Sequence, residues 1–315
     1  MELGVSLPTF NVPNGSVESI VRIAQAADEL GYGAVWTYER LLYPMADVPQ
    51  PGGPPRPLPD YYKTAYDPLE TLAFVAAKTT RVRLGTSVID GLFHAPVVLA
   101  KRYATLDQLS GGRAIAGLGQ GWMEEEFATA NVPPARKGAG MDELIAAMRA
   151  TWGPDPVRYE GRFYRIAESI INPKPVQPGG PPILLGSMTP AGIQRAARIA
   201  DGLNPVAISQ AQLEGMVSAF REAAASAGRD PATLEVHVRV NSIIWSEAVP
   251  ADQRPYLGGS AEQIAADLAG LVPLGLTSVF FGTGYAPTLD DEIRRLDELM
   301  QAARAVNAFG TPAIV

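Results

Sequence analysis

The sequence predicts an α/β fold, a (β/α)8 TIM barrel carrying insertion segments. Three observations lead there. Short apolar, β-branched runs alternate with amphipathic helical stretches along almost the whole chain. Eight such strand runs are spread evenly, and 315 residues fit one barrel with room for inserted loops. A doubly wound open sheet is the competing arrangement; eight even units favour closure.

Strands are expected at 3–7, 34–38, 82–88, 114–118, 183–186, 202–206, 234–245 and 277–282. Helices are expected at 17–30, 68–78, 96–109, 141–152, 191–200, 212–227, 261–271 and 289–305. The first ends at Gly31, a residue suited to a left-handed C-cap. Pro68, Pro96 and Pro190 stand where a first helical turn tolerates proline. Two segments interrupt the alternation within a single domain spanning 1–315. Residues 43–67 carry seven prolines between Pro44 and Pro59 and no clear periodicity, which reads as a lid, or else a passive surface loop. Residues 156–182 contain VRYEGRFYRI, a hairpin with Glu160-Gly161 expected at its turn.

Composition removes several functions. A net charge of −7 without a basic run argues against a nucleic-acid partner. With no cysteine, disulfides and thiolate catalysis are absent, and two histidines, His94 and His237, cannot build a His-rich zinc site, so no metal is expected. MELGVSLPTF lacks a basic region followed by a long apolar one, and no apolar run nears the roughly 20 residues of a membrane span. The expectation is a cytoplasmic protein with a small-molecule partner.

In a barrel, chemistry sits at the C-terminal strand ends. The second strand runs straight into Tyr38, Glu39 and Arg40, three polar side chains that read as an active-site rim. After the third, LGTSVIDG turns at Asp90-Gly91, by itself an ordinary strand end. After the fourth, GLGQGW holds a G-x-G-x-G pattern. The dinucleotide fingerprint needs G-x-G-x-x-G after the first strand, so these glycines are read as letting backbone approach a flat ligand. After the fifth, Gly186, Ser187, Met188 and Thr189 precede a helix opening at Pro190. Free N–H groups and two hydroxyls suit a phosphate; alternatively Thr189 only caps the helix. A phosphorylated planar ligand, with neither a Lys Schiff-base signature nor a metal cluster, points to a flavin-type cofactor.

The segments GYGAVWTYERLLYP, DPLETLAFVAAKTTRVRLGTSV, YATLDQLSGGRAIAGLGQGWMEEEF, VRYEGRFYRI, INPKPVQPGGPPILLGS and AARIADGLNP, in this order, resemble the bacterial luciferase-like monooxygenase superfamily. The match looks closest to its branch using the deazaflavin coenzyme F420, and it covers nearly the whole chain. The resemblance implies a homodimer and a cofactor at the C-terminal face. It implies a non-proline cis peptide at Ser87-Val88 beneath the ring, phosphate on Gly186 to Thr189, and pocket positions at Leu118, Gln120 and Asn204. It places Glu39 beside the cofactor, with Tyr38, Glu39 and Arg40 as catalytic candidates. Relatives often carry histidine where this chain has Arg40. Arginine stays protonated and cannot shuttle a proton, but it can hold an anionic substrate or stabilise developing negative charge. His94 lies where it can touch the pocket, whereas His237 inside a strand reads as a core residue. Arg195 and Arg198 follow the phosphate site, facing either the cofactor's polyglutamate tail or solvent.

Three functions remain open. The first is hydride transfer between F420 and a small organic substrate such as an enone, imine or alcohol. The second is FMN-dependent oxygenation with reduced flavin from a partner reductase. The third is a non-catalytic cofactor-binding barrel.

Overall fold

A computed structural model describes residues 1–50 and 53–308. Eight parallel strands close on themselves: β1 (Glu2–Ser6), β2 (Ala34–Thr37), β3 (Arg83–Thr86), β4 (Ala114–Gly119), β5 (Ile183–Leu185), β6 (Gly202–Leu203), β7 (Glu235–Val240) and β8 (Ser278–Gly282). Each pairs with the next, and β8 pairs with β1, so the barrel leaves no edge. Outside run α1 (Val17–Leu30), α2 (Pro68–Ala76), α3 (Pro96–Ser110), α4 (Glu124–Thr129), α5 (Ala139–Trp152), α6 (Pro190–Ile199), α7 (Gln210–Ser226), α8 (Ala261–Leu271) and α9 (Leu289–Ala305).

The interior is filled by side chains. Trp36 stacks on Phe280 with ring centroids 4.5 Å apart, and Ala34, Ile115 and Leu184 pack with them. The barrel can hold an indole only because β1 and β3 carry glycine opposite it. A Cβ at Gly85 would lie 2.4 Å from the Trp36 ring, and one at Gly4 2.9 Å from its Nε1. His237 also points inward, between Ser278 Oγ and Glu235 Oε2 at 2.7 Å each, with burial lowering its proton affinity. It is a satisfied core residue, as its place in a strand suggests.

Some local expectations are corrected. The strand foreseen at 234–245 stops at Val240, because its register partner Phe281 lies one residue from the end of β8. Helix α4 was not foreseen; six residues are too short to show a periodicity. Residues 43–67 do contain elements, a ribbon of Val48–Gln50 with Gly53–Arg56 and a 3-10 turn at Asp60–Lys63. Positions 51 and 52, like 309–315 of the expected domain, lie outside the described residues. The segment is pinned on its inner side. Val48, Leu58 and Met123 form a small core, and Asn11 and Tyr66 donate backbone N–H groups to Tyr61 and Thr9 carbonyls at 3.1 Å. The later hairpin pairs Val157–Glu160 with Arg165–Ser169, so its turn is 161–164 rather than Glu160-Gly161. Glu143 on α5 widens it by accepting the Arg162 and Phe163 N–H groups at 3.0 and 2.8 Å.

Candidate active site

The three polar residues after β2 stand at the barrel mouth. Glu39 is held on both carboxylate oxygens: Oε2 accepts the Asp90 N–H at 2.9 Å, and Oε1 lies 2.7 Å from His94 Nε2. Its backbone N–H donates to the Val88 carbonyl at 3.1 Å. Arg40 turns inward. Its Nη2 is 3.8 Å from Asp90 Oδ2 and its Nε is 3.4 Å from Glu126 Oε1, with all three side chains at most 8% exposed. Tyr62 and Trp122 lie against the guanidinium at 5.5 and 5.6 Å. Burial, with Glu39 and Glu126 nearby, pushes the Asp90 carboxyl up to about 7 against the opposing pull of Arg40. Burial likewise raises Glu126. Arg40, read from sequence as a hand for an anionic substrate, is thus already matched by two carboxylates.

Tyr38 is wedged between Phe10, 3.9 Å between centroids, and the guanidinium of Arg239 at 5.2 Å. Its hydroxyl is buried without a hydrogen-bond partner, and burial holds the phenol well above its ordinary range. That makes it a poor proton donor near neutrality.

Beyond β3 the Ser87-Val88 peptide is cis, at the position the resemblance implies. Two residues converge on Ser87: its Oγ donates to Asn204 Oδ1 at 2.6 Å and Arg239 Nη1 donates to its carbonyl at 2.9 Å, while Asn204 Nδ2 is itself anchored on the His237 carbonyl. Val88 forms a half-buried apolar shelf between two strands. A Cβ at Gly119 would stand 2.6 Å from its Cγ2, and one at Gly186 2.8 Å from its Cγ1. Gly117 faces the Thr86 carbonyl instead. Gly117 and Gly119 therefore make room for the chain's own backbone and for the shelf, and Gly121, at φ 73°, for the Phe93 and Phe127 rings; only through the shelf do they make room for any ligand. Leu118 is fully buried beside them, and Gln120 Oε1 accepts the Gly138 N–H at 2.6 Å, tying the strand end to the start of α5.

At α6, Thr189 Oγ1 accepts the Gly192 N–H at 3.2 Å, as a cap does, and Ser187 Oγ accepts the Thr189 N–H at 3.2 Å. Met188 and Thr189 are exposed. Arg195 and Arg198 both reach Asp142 on α5, at 2.6 Å each, so one carboxylate faces two guanidiniums.

Sequence reading missed Asp90, Glu126 and Arg239. Asp90 looked like turn chemistry, and Glu126 was hidden in an acidic run on an unforeseen helix. Arg239 was legible as a lone cation in the alternating strand EVHVRV, one residue from the strand end. Among the described residues no group of three or more His, Asp or Glu is placed to hold a metal, and no helix is long and apolar enough to cross a membrane.

Closed strand pairing with helices between the strands defines a (β/α)8 barrel, and its mouth carries a non-proline cis peptide and a glycine-seated apolar shelf. The chain belongs to the luciferase-like monooxygenase family, whose model matches residues 1–270. It is 32% identical over 262 residues to an uncharacterised protein of Mycobacterium tuberculosis, covering 82% of this chain and 85% of that one. An F420-dependent hydroxymycolic acid dehydrogenase of the same organism is 28% identical over 254 residues, 78% of this chain and 65% of the relative. Among solved structures, monooxygenase RslO1 from Streptomyces bottropensis superposes with a TM-score of 0.81 at 26% identity, covering 97% and 99% of the two chains.

Proposed function

We propose that this chain is an F420-dependent oxidoreductase acting on a small organic substrate with a C=O, C=N or conjugated C=C bond, or on the corresponding alcohol or amine. The observation that carries the reading is the Val88 shelf, an apolar seat for which Gly119 and Gly186 make room at the barrel mouth, just after the cis Ser87-Val88 peptide. These residues fit a tricyclic ring. Bound there, the deazaflavin would supply or take up the hydride. The chain's own residues then have these tasks. Val88 supports the ring with Leu118 packed in the core beside it, Ser87 and Asn204 hold the shelf's backbone, and Gln120 fixes the adjoining strand end. Gly186, Ser187, Met188 and Thr189 at the start of α6 take the phosphate, with the excess charge of Arg195 and Arg198 behind them for an acidic tail. Residues 43–50 and 53–67 cover the mouth and exclude water.

FMN-dependent oxygenation, with a reductase partner, is the second reading, favoured by the likeness to the Streptomyces monooxygenase. A buried cluster of three carboxylates, a guanidinium and an imidazole beside the shelf suits proton-coupled hydride transfer better than the dry pocket that protects a flavin hydroperoxide. Fluorescence titration of the purified protein with each cofactor decides between them. F420 is expected to bind in the micromolar range, and Ser187→Asp to weaken it about tenfold or more through like-charge repulsion with the phosphate. Tight FMN binding without F420 binding would reverse the order of the two readings. Binding of neither cofactor would leave the non-catalytic barrel.

A cytoplasmic homodimer completes the proposal. Phe74, Val98 and Leu109 are 46%, 55% and 65% exposed on α2 and α3, beside a groove lined by Leu69, Ala73 and Leu106. Apolar area of this kind on paired helices suits a second copy. Sedimentation is expected to show a dimer that Leu109→Glu converts to monomer; an unchanged dimer would place the interface elsewhere.

A further inference from the structure

We propose that His94 is the residue that donates and accepts the substrate proton in this site, with Glu39 fixing which of its nitrogens does so. The proposal rests on the oxidoreductase reading above.

His94 closes the 3-10 turn Gly91–Phe93, its backbone N–H donating to the Gly91 carbonyl at 3.1 Å. From there its ring reaches back to the end of β2, where Nε2 meets Glu39 Oε1 at 2.7 Å. Glu39 cannot swing away, because its other oxygen holds the Asp90 N–H. A carboxylate accepts, so Nε2 carries the proton of this bond and Nδ1 is left with the exchangeable lone pair. Nδ1 makes no hydrogen bond among the described residues, and the side chain is 18% exposed. An imidazole oriented by a carboxylate on one side and open on the other is the arrangement of a general base with its orienting group.

The neighbouring groups are unsuited to the task. Arg40 does not release its proton. Asp90 spends Oδ1 on the Gly121 N–H at 3.0 Å and faces Arg40 with Oδ2. Glu126 has 1% of its side chain exposed, and its Oε1 accepts the Leu41 N–H. Tyr103 on α3 is fully buried against Thr86 Oγ1 at 2.7 Å. These groups, facing His94 and Glu39 from the ends of β2 and β3 and from α3 and α4, set the field in which the imidazole exchanges its proton.

The step balances as follows. In the reducing direction a carbonyl carbon gains the hydride that the proposed cofactor loses. The carbonyl oxygen takes the proton from Nδ1, the N–H bond of the imidazolium breaks as the O–H bond forms, and neutral His94 is reprotonated from solvent. In the oxidising direction neutral His94 accepts the alcohol proton at Nδ1 as the C=O bond forms, the carbinol C–H bond breaks with its hydride passing to the oxidised form of the proposed cofactor, and the imidazolium then releases its proton to solvent.

With two histidines in the chain, imidazole-nitrogen NMR resolves the question. His94→Gln assigns the signals. In the neutral form of the wild type, His94 is expected to show protonated Nε2 and unprotonated Nδ1. Glu39→Gln should release it to a mixture of tautomers, and F420 should shift the Nδ1 signal of His94 but not that of His237. Glutamine at 94 still offers an N–H to Glu39. On any compound the wild type turns over, His94→Gln should therefore lower kcat about 10²–10⁴-fold while cofactor affinity holds. A protonated Nδ1, indifference to Glu39→Gln, or an unmoved Nδ1 signal under a cofactor that demonstrably binds would overturn the proposal. Failure of F420 to bind, with the Nε2–H tautomer intact, would instead overturn the reading on which it rests.

Discussion

Gly117→Ala is expected to cost at least about 4 kcal/mol and to leave little soluble protein, although it adds a single methyl group. A Cβ at this position would lie 1.7 Å from the Thr86 carbonyl oxygen and 2.9 Å from its carbon. Both atoms belong to the barrel wall, so neither can rotate away. Relief requires β3 and β4 to part, and the contact between them is also the anchor of a small network. Thr86 Oγ1 donates to the Gly117 carbonyl at 2.7 Å and accepts the Gly117 N–H at 3.1 Å. Overpacking against movable side chains costs about 1–3 kcal/mol; against fixed backbone in a closed sheet the cost exceeds that, and native stability is only about 5–15 kcal/mol. Gly215→Ala in α7 is the control. It has nothing within 4 Å of its added Cβ and should stabilise by about 0.5–1 kcal/mol. Urea unfolding of both variants checks the pair, and equal, small shifts would show that the wall yields.

The contrast explains how much of the fold was legible. Repeating strands and helices follow a period that survives in sequence, so the eight strands of the barrel can be counted from it. Features that depend on an element's partner could not. β7 ends where β8 does, and nothing in SIIW marks that point. The ribbon at Val48–Gln50 and Gly53–Arg56 is set by packing on Met123 rather than by local alternation.

The site divides the same way. Tyr38, Glu39 and Arg40 stand out as candidates because a polar triplet follows a buried strand, and Gly186 to Thr189 because a helix opens there. The pairing of Glu39 with His94 joins residues 55 positions apart, through a turn whose sequence, GLF, says nothing about where the next ring will point. The role of GLGQGW could be read as close approach but not as approach to what, since the atoms filling that space come from Thr86 and Val88. Arg40 was visible in sequence while the carboxylates that engage it were not, and that changes its expected role.

Arg40→Met is therefore expected to act first on stability, and to do so in a pH-dependent way. Removing the guanidinium leaves Asp90, Glu126 and Glu39 clustered without their cation, and breaking a buried pair from one side costs about 3–5 kcal/mol. The Asp90 carboxyl titrates near 7 in the folded protein against an ordinary 3.8. A raised carboxyl binds its proton more tightly when folded, so stability falls as pH rises from about 4 to about 7 and is level above that. Arg40 opposes this shift, so without it the folded Asp90 titrates still higher. Below pH 6 both proteins keep the Asp90 proton, and this contribution is the same in each. Above pH 7 the wild type has levelled while the variant keeps losing about 1.4 kcal/mol per pH unit until its own Asp90 ionises. Denaturant unfolding at pH 5.5 and pH 8 should thus give a larger loss at pH 8. Asp90→Asn, which retains the oxygen that accepts the Gly121 N–H, should remove Asp90's share of the difference when added to Arg40→Met, leaving only the share of Glu126, which Arg40 also holds down. An equal loss at both pH values would mean that Arg40 and Asp90 are not coupled, and would return Arg40 to the role its sequence position first suggested, a cation held for the substrate.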